Sequence, residues 1–187
     1  MRVLVVARPE PIVTYEEVVA RLRLGGGEDE RLDVEAMIAA ASGHIDGPDG
    51  WLGRAIGDQV LEARLDAWCG QAITLLYPPV IELAGAYYLD ASGTEQVVDL
   101  ADLDLIGRDV VAAGSSWPWE GCSTRREAIR IRYRAGYEDA PDTIKSAVML
   151  MVGDLYRHRG TVAMGTASAV PMSTTVERLL APLRVFR

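Results

Sequence analysis

The chain has 187 residues, 49% of them apolar and 25% charged, which is ordinary for a globular protein and enough to bury about 70% of its unfolded surface. A formal charge of −8 argues against a protein that grips nucleic acid by neutralising phosphates. No apolar run reaches the ~18–20 residues that span a bilayer, so no membrane role is expected.

The opening Met1-Arg-Val-Leu-Val-Val6 is too short for a signal-peptide core and is soon followed by Glu10, so the chain reads as intracellular. Val3 to Ala7 has the pattern of a short strand. A helix begins at Thr14, an N-cap with Glu17 three residues on, as a capping box requires. Val13 and Val18 fall at the hydrophobic-staple positions. Tyr15, Val18, Val19 and Leu22 form one apolar stripe, and Gly25-Gly-Gly27 is expected to end the helix. A second helix is predicted from about Glu30 to Ile45, burying Val34, Met37, Ile38, Ala41 and Ile45. Gly47-Pro-Asp-Gly50 reads as a turn, and Trp51 to Ile56 as a short helical turn leading out of it.

The period then changes. Leu61, Ala63, Leu65 and Ala67 alternate with Glu62, Arg64 and Asp66, which predicts a strand. Ile73 to Tyr77 and Ile81 to Asp90 predict two more, around Pro78-Pro79. Asp90-Ala-Ser-Gly93 turns the second into Thr94 to Leu100 as a hairpin. Asp104 to Ala112 reads as one strand. Glu127 to Ala135 is another, with Ile129, Ile131 and Tyr133 on one face and Arg130, Arg132 and Arg134 on the other.

Pro141 suits the first position of a long helix in which Ile144, Ala147, Val148, Met151, Val152 and Leu155 share a face. Met149 and Leu150 widen that stripe, predicting burial on more than one side. A small, uncharged loop, 160–172, leads to a second capping box at Thr174 and Glu177, and Pro182 closes the short helix that follows. Leu183-Arg-Val-Phe-Arg187 remains as an apolar, basic arm carrying the only phenylalanine. Chain ends are usually polar and frayed. This one needs a cover, either its own core or another protein.

Helices, then strands, then helices point to an α+β fold. Its expected form is a mainly α-helical bundle with a central antiparallel β region and an extended C-terminal arm. One domain is expected, with helices over 14–46, the β region over 58–135, the long helix over 142–159 and the final helix and arm over 174–187.

Chemical motifs are absent. Cys69 and Cys122 make no ligand spacing, His44 and His158 have no partner at helical spacing, and Gly25-Gly-Gly27 lacks the Lys-Ser/Thr of a phosphate loop. No catalytic residue, metal or cofactor is expected. Arginine dominates the cations, with Lys145 the sole lysine, which suits protein interfaces and equally suits a GC-rich genome. Two charge blocks stand out. Glu28, Asp29, Glu30 and Asp33 are acidic, and Arg130, Arg132 and Arg134, near Arg125 and Arg126, are basic. Each block is a solvated face or, on opposite sides of a subunit, a head-to-tail contact that closes a ring. Trp117 and Trp119, flanking a proline, are interface anchors or the plug at the end of a sheet.

Several stretches in this order resemble the head–tail connector, or adaptor, proteins of long-tailed bacteriophages and phage-derived gene transfer particles. Pro11-Ile-Val-Thr-Tyr-Glu-Glu17 to Leu24 is similar to that family's first helix, and Met37-Ile-Ala-Ala-Ala41 to its second. Gly53-Arg-Ala-Ile56 to Trp68 resembles the entry to its β region. Leu76-Tyr-Pro-Pro-Val80 and Tyr88-Leu-Asp-Ala-Ser-Gly-Thr94 resemble its hairpin. Ile131-Arg-Tyr-Arg-Ala-Gly-Tyr137 and 141–159 resemble its last strand and long helix, and Val176-Glu-Arg-Leu-Leu-Ala-Pro-Leu-Arg-Val185 its closing motif.

The resemblance implies a structural particle protein without catalysis, assembled in the bacterial cytoplasm. It implies a ring of copies, dodecameric when assembled, under the portal protein, with stopper or tail-completion proteins on the other side. DNA would pass through the ring without sequence-specific binding. Leu183, Arg184, Val185, Phe186 and Arg187 become the portal-binding arm. Arg130, Arg132, Arg134, Trp117 and Trp119 become subunit-interface candidates. Glu28, Asp29, Glu30 and Asp33 become interface or channel-facing candidates, since an acidic lining keeps DNA from sticking. The alternatives are a stopper or tail terminator, which the long apolar helix argues against, and a small enzyme or ligand-binding α+β protein, which a polar pocket of clustered acids would favour.

Overall fold

The computed structural model describes residues 1–25, 27–66, 70–119, 121–158 and 172–186, with Asp29 described by its backbone. Cys69, Arg187 and most of the expected loop 160–172 lie outside the described residues. The chain divides into a β unit, Met1–Pro9 with Asp58–Tyr137, and a helical unit, Glu10–Gly57 with Glu138–Arg187. Helix and strand take similar shares of the chain, about 32% and 29%, and the sheets are antiparallel, an α+β fold as expected.

The β unit contains β1 (Arg2–Ala7), β2 (Gln59–Leu65), β3 (Ile73–Thr74), β4 (Val80–Leu89), β5 (Glu95–Val98), β6 (Leu103–Ile106), β7 (Asp109–Ala112) and β8 (Ile129–Ala135). Five of these form one sheet in the order β1-β2-β8-β4-β5, and the other three a second sheet in the order β3-β7-β6. β8 lies at the middle of the larger sheet, and its alternation holds as read: Ile129, Ile131 and Tyr133 are fully buried while the arginines take the other face. Each such apolar burial contributes about 1.5–3 kcal/mol. The Tyr133 hydroxyl donates to the Leu76 carbonyl at 2.8 Å, and burial pushes its pKa upward.

Three strand readings are corrected. The segment 104–112 is two strands, because Gly107 at φ 65° reverses the chain between them. β3 stops at Thr74, where 73–77 was expected to be extended throughout. Glu95–Val98 gives way to a 3-10 turn at Leu100–Asp102, capped by the Asp99 side chain. The hairpin at Asp90 is as predicted: its carboxylate accepts from the Ser92 and Thr94 amides at 2.9 and 3.0 Å, and Gly93 takes φ 86°.

The helical unit contains α1 (Tyr15–Leu22), α2 (Glu28–Ile45), α3 (Asp142–Arg157) and α4 (Thr174–Leu180). The Thr14–Glu17 capping box is present in both directions, at 3.2 and 2.7 Å, and the staple residues Val13 and Val18 are buried. α1 ends earlier than the glycine run, because Arg23 adopts the left-handed conformation (φ 55°) that commonly terminates helices. α2 begins at Glu28 rather than Glu30. Residues 51–56 form turns rather than a helical turn, stitched by Asp46, whose carboxylate accepts from the Ile56 and Gly57 amides at 2.7 and 3.2 Å.

α3 buries one stripe and not two. Ile144, Ala147, Val148, Met151 and Val152 are buried, whereas Leu150 is 38% exposed. Pro141 is its N-cap, one place before the expected position. α1 packs against α3 at Gly153, where a Cβ would make ordinary van der Waals contact with Leu22 at 3.4 Å. α4 is capped by Ser173 in place of Thr174, its hydroxyl accepting from the Val176 amide, so no capping box forms with Glu177.

Candidate functional site

Arg130, Arg132 and Arg134 stand on neighbouring outward positions of β8, and other strands of the sheet, or their flanks, bring carboxylates to each. Arg132 Nε donates to Glu62 Oε2 at 2.7 Å, and Arg134 Nε lies 2.7 and 2.9 Å from the two oxygens of Asp58. Arg134 also reaches Glu82 at 3.3 Å, and Arg130 pairs with Glu95. The network extends sideways: Arg64 bridges Glu62 and Glu127 at 2.8 and 3.2 Å, and Arg2 meets Glu127 at 3.3 Å. Five guanidinium groups thus face five carboxylates, Asp58, Glu62, Glu82, Glu95 and Glu127. The face is charged in detail but balanced, so it does not present the bare positive field that phosphates seek.

The electrostatics follow from these contacts. The hydrogen bond from Arg134 holds Asp58 below the usual carboxylate range, and the bond from Arg64 does the same for Glu127. Burial alone would raise Glu62, but the bonds from Arg132 and Arg64 outweigh it and leave its pKa lowered. Tyr87 lies under this network, 5.7 Å from Arg130 and 5.1 Å from Arg132, and it folds over Gly85, where a Cβ would come 2.8 Å from the Tyr87 hydroxyl. The burial of Glu62, 2% exposed, was not legible in a pattern that placed it on the solvent face.

Trp117 and Trp119 stack at 4.7 Å with planes 15° apart. Trp119 is buried and Trp117 donates its indole N–H to the Gly70 carbonyl at 2.7 Å, so both rings are seated in the β unit itself. Of the acidic block, Glu28 and Asp33 are exposed on α2, and Glu30 accepts from the Tyr156 hydroxyl. Glu28 to Glu30 occupy the first turn of α2, where negative charge favours the helix dipole. Acid block and arginine block lie in different units.

The arm begins later than expected. Ala181–Leu183 continue α4 as a 3-10 turn around Pro182, so Leu183 is helical and Arg184 is the first extended residue. Val176 and Leu180, both fully buried, anchor α4, which packs on α3. Beyond the turn, the Val185 amide donates to the Leu52 carbonyl at 2.8 Å. The Arg184 guanidinium lies near two rings, 4.2 Å from Trp51 and 4.9 Å from Phe186. Phe186 is 78% exposed, the most open large apolar side chain among the described residues. Trp51, Leu52 and Gly53 were missed as partners of the arm, since nothing local links them to it.

Among the described residues, no group of three or more His, Cys, Asp or Glu side chains is placed to hold a metal, and no helix is long and apolar enough to cross a membrane. Cys122 is half-buried, and burial pushes its thiol pKa up.

The chain is an α+β protein of antiparallel sheets and packed helices. The fold is similar to chains of solved gene transfer agent (GTA) particles. It matches a chain in the neck of an empty GTA particle computed with C6 symmetry at TM-score 0.70 and 24% identity, covering 100% of this chain and 97% of that one. A chain in the virion of a native GTA particle matches at 0.70 and 25% identity, with the same coverage of both chains. A chain in the neck of a native GTA particle computed with C12 symmetry matches at 0.66 and 23% identity, again over 100% and 97%. No protein-family model and no curated protein matches the chain.

Proposed function

We propose that this chain is a structural head–tail adaptor of a phage-like particle. Both units act as one adaptor domain, and copies form a ring, dodecameric when assembled, beneath the portal protein. The ring extends the DNA channel and joins the head to stopper or tail-completion proteins, without catalysis or sequence-specific DNA contact. Assembly takes place in the bacterial cytoplasm.

The observation that carries this reading is the match over the whole of both chains, at TM-score 0.70, to a protein of a GTA neck. The C6 and C12 symmetries of two such necks support a ring of copies. The residue roles follow from the surfaces above. Leu183 to Arg187 reach the portal, with exposed Phe186 as anchor. The balanced arginine face and the half-buried Trp117, backed by Trp119, serve contacts between copies. Glu28, Asp29, Glu30 and Asp33 face a neighbour or the channel, where like charge keeps DNA sliding.

Light scattering with and without portal protein tests the reading. The chain alone is expected near its subunit mass of 20.3 kDa. With portal rings it should bind at one copy per portal subunit. Failure to associate with the portal under any stoichiometry would sink the proposal.

A further inference from the structure

The C-terminal arm meets a specific seat within its own unit. Trp51, Leu52 and Gly53 form a turn, and each contributes one feature to it. Leu52 offers its carbonyl, which accepts the Val185 amide at 2.8 Å. Trp51 offers its ring, 4.2 Å from the Arg184 guanidinium, within the range of a cation–π contact. Gly53 offers the absence of a side chain: it sits at φ +64°, and a Cβ there would lie 2.5 Å from the Val185 carbonyl oxygen. That contact is to backbone, so no rotamer change relieves it. Three different contacts therefore read the extended segment 184–185: a main-chain hydrogen bond, a ring for its cation, and a close backbone approach that only glycine permits.

Phe186 also lies near the Arg184 guanidinium, at 4.9 Å, yet remains 78% exposed. The guanidinium is thus shared between a ring of the seat and a ring of the arm. The seat holds the backbone of the arm while its largest apolar group faces outward.

We propose that the turn Trp51–Gly53 is a docking site for the chain's own C-terminal segment, and that it stores the arm on its subunit until a partner takes the same segment. This rests on the adaptor reading for the identity of the partner, the portal subunit, but not for the seat. One main-chain bond and one cation–π pair make a weak hold, suited to exchange. Val185 cannot give its single N–H to Leu52 and to a partner strand at once, so any partner that pairs with this segment competes with the seat.

The test uses the full chain and two variants that release the arm by different means. Gly53→Ala inserts a Cβ against Val185, and Trp51→Ala removes the ring that meets Arg184. Trypsin cleavage after Arg184, followed by mass spectrometry, reads the release in the free protein. Wild type is expected to be cut at least about tenfold more slowly than either variant, a ratio reporting the open fraction of a local equilibrium. Amide exchange across α3 in the same samples identifies a variant that has lost its fold. Equal cleavage in wild type and in both folded variants would overturn the seat. Binding to portal protein then reads the competition: Gly53→Ala should associate faster by about threefold or more. Slower or unchanged association of a Gly53→Ala protein whose arm is released would overturn the storage role. A chain ending at Pro182 that still joins the portal normally would instead defeat the portal-arm reading, while the cleavage result would continue to stand for the seat.

Discussion

Glu62 places a carboxylate, 2% exposed, on a strand between two arginines. A buried charge costs several kcal/mol unless it is paired and hydrogen-bonded. Here each oxygen accepts from a different guanidinium, Oε1 from Arg64 and Oε2 from Arg132. Removing the carboxylate by Glu62→Gln is expected to cost on the order of 2–3 kcal/mol, below the range for fully buried pairs because both arginines keep some solvent access. The same contacts set a pH dependence. Asp58, Glu62, Glu127 and Asp90 all have lowered pKa values, Asp90 reaching about 2 under the hydrogen bonds of Ser92, Gln96 and Thr94. For a carboxylate depressed in the fold, the stabilisation is complete above the unfolded pKa and is lost as pH falls through the folded one. Thermal melts followed by circular dichroism should therefore hold level from pH 7 to about 5 and fall between about 4 and 2, with Glu62→Gln showing a shallower fall. A melting temperature that stays constant down to pH 2 would contradict the network.

At the scale of elements, α4 shows how a short helix is held. Seven residues are too few for an isolated helix to persist in water, so tertiary packing must supply its stability. Val176 and Leu180 are its fully buried contacts. Leu180→Ala should cost about 3 kcal/mol through lost burial and the cavity left behind. Hydrogen exchange should show protection falling first over 174–186, with β8 little changed. Equal loss across both segments would mean that α4 does not open independently. This helix also shows where local reading stops. Ser173-Thr174-Thr175 offers three capping hydroxyls in a row, and Glu177 has the right offset from Thr174, yet the register that buries Val176 and Leu180 selects Ser173. At Thr14 no such competition exists, and the capping box was legible outright. The segment 103–112 misled for another reason: its apolar alternation is similar on both sides of Gly107, so a hairpin and a single strand share one pattern. On α3, Leu150 is apolar yet 38% exposed, a distinction that periodicity over a wide stripe cannot make.

For the whole molecule, the features hardest to read were those joining distant parts of the chain. The N-terminal run was legible as a strand, but not as the partner of β2, whose register pairs Val3 with Ala63. The arginine alternation of β8 was plain, while the carboxylates that neutralise it come from three other strands or their flanks. The arm was recognised as needing a cover, and the seat at Trp51–Gly53 lies some 130 residues earlier, which no spacing rule spans. Class and order of elements, by contrast, follow from local period and turn chemistry, and those were readable. The central claim is that copies of this chain form the ring between head and tail. A cryo-electron reconstruction of the neck, from particles produced with this chain, tests it most directly. Twelve copies are expected in a ring against the portal, with residues 183–187 in contact with portal subunits. A neck in which the chain is absent, or present without ring symmetry, would contradict it.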